Sequence, residues 1–200
     1  YGDAAYSIGA NGLGLYLASQ ILWDTEKVNH VDVLVDDFLN NAFTDAKTPM
    51  RRFFEVLQTT PTHAVRDVAD YQFEHDAIAE NNRMGVMFKV LRDAFSLTST
   101  NAVRNRLNQL LLYTRYVELS TEVLRNEGAS CPKAVNQLTE FVYRIRKLPV
   151  ISAYWYLREA ASANAPASRI DVQSILMGDE PFTQQELGVM LEAGVRRWSN

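Results

Sequence analysis

Apolar residues recur along most of the chain at spacings of three and four, and no segment alternates convincingly with a period of two, so the pattern predicts helices and no sheet. Leu13, Leu15, Leu17, Ala18, Ile21 and Leu22 predict a mostly buried helix that stops near Trp23 and Asp24. Trp23 ends that apolar run, and its bulk predicts a buried indole sealing the helix end. Ahead of it, Gly2, Gly9, Gly12 and Gly14 crowd the first fourteen residues, a composition that predicts an opening loop.

The second helix is more sharply two-sided. Across Val31 to Phe43, the residues Val31, Leu34, Val35, Phe38, Leu39 and Ala42 share one face, and Asp32, Asp36, Asp37 and Asn40 share the other. Pro49 suits the first turn of a third helix, where its missing N–H costs nothing. Met50, Phe53, Phe54 and Leu57 supply that helix's buried stripe and Pro61 closes it. Residues 62–80 are polar and acidic, with only weak helical periodicity. Met84, Met87, Phe88, Leu91 and Phe95 then predict a helix over Arg83 to Leu97.

Ser99 or Thr100 offers an N-cap for the longest helix, which runs to about Asn126 and stops before Gly128. Its seam is Val103, Leu107, Leu110, Thr114, Val117, Thr121 and Leu124, the alternating four-and-three step of a bundle helix. Pro132 opens the next helix, whose face is Val135, Leu138, Phe141, Val142 and Ile145. Pro149 interrupts, and Ile151 to Ala163 resumes as helix before a small, polar linker at Ala161 to Ser168. The final helix is opened by Thr183-Gln-Gln-Glu186, a capping box in which each end residue satisfies a backbone N–H of the other, and it runs to about Arg197. The sum is an all-α, multi-helix bundle of seven to nine helices with no fixed-period repeat.

Charge narrows the partners. The 200 residues hold 24 acidic and 20 basic groups for a net charge of −4, the wrong sign for neutralising phosphates, which argues against nucleic acid. No apolar run reaches the length of a membrane span. Cys131 is the sole cysteine, so no internal disulfide forms, and it reads as a small structural thiol. Residues 1–80 carry 13 acids and 5 bases, residues 81–200 carry 11 and 15, so the halves attract each other. Arg104, Arg106, Arg115 and Arg125 share the long helix with Glu118 and Glu122, which favours internal pairing over a phosphate groove.

Three constellations invite chemistry. Asp36-Asp37-Phe-Leu-Asn40 approximates the aspartate-rich magnesium motif of isoprenoid synthases, but Asn40 occupies the last acidic position and no second motif follows, so a solvated face is the better reading. Glu74, His75, Asp76 and Glu80 lack the spacing that puts metal ligands on one helical face. Tyr154, Trp155 and Tyr156 point in different directions on a helix and read mainly as core. No metal or other cofactor is expected.

The stretch Gly12 to Asp24, with Val31 to Phe38, Pro49 to Phe54 and the Phe182-Thr-x-x-Glu186 helix start, resembles a bacterial family of uncharacterised glycoside-hydrolase-like proteins related to alpha-glucuronidases and hexosaminidases. The resemblance implies a (β/α)8 barrel ahead of a helical region. Residues 1–24 would be the loop and last helix of the barrel domain, and 25–200 the helical bundle that follows. Tyr1, Asp3, Tyr6 and Asn11 would then lie at the barrel mouth as substrate-binding residues, because active sites of such barrels sit on the loops after their strands. The carboxylate pair that glycoside hydrolysis commonly needs would lie on the barrel, so this chain would not catalyse alone. The resemblance also implies a secreted or periplasmic protein, an upstream barrel partner and carbohydrate bound through the parent protein. The other reading of the residues is a self-standing helical interaction module.

Overall fold

The computed structural model describes residues 8–58, 83–125, 132–151, 153 and 182–198. Every described element is helical: α1 (Ile8–Trp23), α2 (Val31–Phe43), α3 (Lys47–Gln58), α4 (Arg83–Leu97), α5 (Asn101–Arg125), α6 (Pro132–Ile145) and α7 (Gln184–Arg197). Short 3₁₀ turns, Thr25–His30 and Thr44–Ala46, join α1 to α2 and α2 to α3. The all-α class predicted from the periodicity is what forms. None of the described helices is long and apolar enough to cross a membrane.

Two helices organise the rest. α4 packs against α3, α5 and α7, and α5 packs against α1, α4, α6 and α7. Phe88 and Leu91 of α4 and Leu107 and Leu111 of α5 are completely buried at this centre. The predicted seam of α5 is buried from Val103 through Thr121. Its polar members are tolerated because Thr114 and Thr121 return their hydroxyls to the Leu110 and Val117 carbonyls at 2.8 and 2.9 Å, so neither of these two donors is left unmet. Thr100 caps the helix, its Oγ1 accepting from the Val103 N–H at 3.4 Å.

An aromatic cluster locks α1, α2 and α3 together. Phe38 lies 5.9 Å from Phe54 edge-on and 6.1 Å from Phe43, and Tyr16 of α1 approaches it at 5.6 Å. Edge-to-face geometry suits the ring quadrupoles. Arg106 of α5 reaches across to donate to the Ala42 carbonyl at 3.1 Å, satisfying one of the last carbonyls of α2. The acidic face of α2 points outward as predicted, and Asp36 pairs there with Arg51.

Two sequence expectations are corrected. The opening loop is not a loop as far as Gly12: α1 already starts at Ile8, with Gly9, Gly12 and Gly14 inside it. Burial of Ala10 and Leu13 stabilises this turn against the glycine penalty, so tertiary packing overrides propensity. Trp23 is not buried either; it is 90% exposed, and Leu22 beside it is 84% exposed. An apolar run shows that a helix wants cover but not which of its positions receive it: α2 covers α1 at Gly12 and Tyr16, through Phe38, and leaves Leu22 and Trp23 at the helix end open to water. Pro61, the Glu74 to Glu80 group, Gly128, Cys131, Tyr154 to Tyr156 and the Ala161 to Ser168 linker lie outside the described residues. Of the helix predicted from Ile151, only Ile151 and Ala153 are described, both buried.

Candidate functional site

α6 and α7 both lean on α5, and between them runs a groove of about 500 Å³. One end is closed by the start of α7. There the predicted capping box is present: Glu186 N–H donates to Thr183 Oγ1 at 3.2 Å, and Thr183 N–H donates to Glu186 Oε2 at 2.7 Å. Phe182, just before the cap, packs on Phe141 of α6 at 5.5 Å, and the Arg144 guanidinium lies 3.8 Å above its ring. Arg144 also donates to Glu186 Oε1 at 2.9 Å. The Thr183 N–H, and after it Arg144, hold the Glu186 carboxyl below the usual glutamate range.

The other end is built on Glu118, only 1% exposed. Arg115, one turn earlier on α5, pairs with its Oε2. Arg197 of α7 reaches Oε1 at 3.1 Å, and the Trp198 indole N–H donates to the same oxygen at 2.8 Å. Arg197 also pairs with Glu122. Burying a lone carboxylate costs several kcal/mol, and here both oxygens are met by donors that offset it. Glu118 is therefore a pin between α5 and the end of α7, with neither oxygen turned to a ligand. The expected internal pairing of Arg115 with Glu118 is present, and Arg104 donates to the Thr98 carbonyl at 3.2 Å.

Between these ends the groove is lined by Leu119, Phe141, Val189 and Met190, with Gln137, Glu140 and Gln185 exposed on its rims. Three arginines and three glutamates line it, so it carries no net charge to attract phosphate. Phe182 was read from the sequence only as part of a helix start, and its place at the groove was not foreseen. Its signal is its place immediately before a capping box, where an apolar residue commonly staples the helix entry to the fourth residue, here the buried Leu187.

A second surface lies on α1. Leu15, Ala18 and Leu22 fall on one stripe, all exposed, with Trp23 beside them. Of the predicted site residues, Asn11 belongs to this exposed stripe and sits in the helix rather than in a loop, because α1 begins before it. Tyr1, Asp3 and Tyr6 lie outside the described residues. Among the described residues no group of three or more His, Cys, Asp or Glu could hold a metal ion.

Compared with models of protein families, with curated proteins and with solved structures, the chain shows no match in any of the three.

Proposed function

We propose that this chain is the C-terminal helical region of a carbohydrate-active, glycoside-hydrolase-like protein, itself non-catalytic, which supports a preceding (β/α)8 barrel and flanks its substrate cleft. The observation that carries the reading is the outer face of α1. A helix with apolar residues on opposite sides belongs between two layers, and among the described residues α1 has one: Ala10 and Leu13 face the bundle while Leu15, Ala18, Leu22 and Trp23 face water. The last helix of a barrel, packed on the barrel one way and on the bundle the other, is such a helix. Tyr1, Asp3 and Tyr6 are then the residues nearest substrate. Asn11, one turn before Leu15, abuts the barrel instead.

Residue-specific footprinting tests this. In the chain alone Leu22 and Trp23 are oxidised readily; in the longer protein with its preceding domain they are protected, and that protein binds oligosaccharides of uronic acids or N-acetylhexosamines. Equal oxidation of Trp23 in both forms removes the support for the reading. The groove between α6 and α7 favours a second reading, a self-standing interaction module, because clefts between bundle helices are common binding sites.

A further inference from the structure

We infer that the exposed end of α1 is an anchor for a protein surface of defined chemistry: an apolar pocket bordered by lysine or arginine. The inference rests on the proposed function, since the preceding domain is the surface it describes. Leu22 and Trp23 are 84% and 90% exposed, and Val28 and Val33, on the segments that follow, are also largely exposed. Adjacent, nearly naked leucine and tryptophan side chains are rare on a free surface and typical of an interface anchor.

The surroundings of that anchor choose its occupant. Residues 22–40 contain Asp24, Glu26, Asp32, Asp36 and Asp37 against one lysine, Lys27, and no arginine. Lys27 is turned inward, its Nζ donating to Gln20 Oε1 at 2.8 Å. Asp36 is paired with Arg51, and Asp37 accepts from Tyr16 and Asn41. Glu26 and Asp32 are exposed and make no ion pair among the described residues. An apolar tip rimmed by unneutralised carboxylates complements a basic rim. A second copy docking face to face would set each carboxylate rim against its twin. An anionic membrane repels the same rim.

The test uses the longer protein, footprinted at Leu22 and Trp23 in low salt and in 1 M salt, with Glu26→Lys/Asp32→Lys, Trp23→Ala and, as a control on the exposed face of α7, Glu192→Lys. Protection in the parent protein should fall roughly tenfold in the double charge reversal at low salt, the gap closing in high salt where the rim is screened. Trp23→Ala should lose protection at Leu22 in both salts, and Glu192→Lys should behave as the parent. Protection unchanged by the charge reversal overturns the basic-rim partner and leaves the proposed function standing. No protection in the parent protein overturns the proposed function itself. Protection already present in the isolated chain overturns the inference too: at all concentrations it means that the chain covers its own anchor, and only at high concentration, with doubled mass, that a second copy does.

Discussion

Gly194 faces the ring of Phe88 so closely that a Cβ on it would lie 2.4 Å from Cε1 and 2.5 Å from Cδ1. Exchanging a helical glycine for alanine ordinarily gains about 1 kcal/mol. Here the ring is fully buried and cannot swing away, so the clash decides the sign. Gly194→Ala should destabilise the chain by about 1 to 3 kcal/mol in urea unfolding, and Gly194→Ala combined with Phe88→Leu should cost less than the two single changes added.

Glu118→Leu should cost about 3 kcal/mol, the low end for breaking a buried ion pair, because Arg197 at 48% and Arg115 at 24% exposure can still reach water. Arg197→Met should cost less, since Arg115 and Trp198 continue to hold the carboxylate. Thermal unfolding of both variants gives the order, and the reverse order would make Arg197 rather than Glu118 the pin.

The capping box predicts a pH dependence. The Glu186 carboxyl is held below its ordinary value by the Thr183 N–H and by Arg144, so it releases its proton more readily folded than unfolded. Its contribution is therefore present above the ordinary glutamate range and is lost as pH falls through the lowered folded value. Glu186→Gln keeps an N3 side chain that can reach back to the cap but does not titrate. The stability difference between parent and Glu186→Gln, followed by denaturant midpoints, should shrink as pH drops below that range; a constant difference would rule the carboxylate out.

Thr44 joins α2 to the following 3₁₀ turn with φ 46° and ψ −112°, a positive φ that β-branched residues avoid. Relief of that strain should make Thr44→Gly more stable by about 1 kcal/mol, while Thr44→Ala, still bearing a Cβ, should gain little. Paired melting curves decide it.

Trp23→Ala should leave the unfolding midpoint of this chain nearly unchanged, within about 0.5 kcal/mol, because an indole 90% exposed contributes little packing. A loss of about 3 to 5 kcal/mol, the cost of truncating a core tryptophan, would restore the buried position that its sequence context suggests.

Helices whose two faces differ in polarity were legible from the residues alone. α2 shows its carboxylates opposite Leu34, Leu39 and Phe43, and the α5 seam is buried from Val103 to Thr121, threonines included. α1 was not legible in the same way. Its apolar residues surround the axis, so periodicity cannot choose a burial side, and its glycines disguise a helical turn as a loop. The Glu118 pin was half legible: Arg115 lies three residues away on one helix, but Arg197 and Trp198 arrive from 79 and 80 residues downstream, which no local pattern announces. The groove follows from how α6 and α7 straddle α5, a tertiary outcome with no linear signature.

The position of α7 bears on how the chain is made. Leu187, Leu191 and Val195 bury their side chains in the common core, and α7 packs on α4 and α5. On the ribosome those two helices emerge well before α7, with their apolar faces open until residues 184–198 clear the exit tunnel. The closing wedge of the core is thus among the last parts of this stretch to be synthesised. A nascent chain stalled before Thr183 should be held by chaperones, and one released past Trp198 should close on itself.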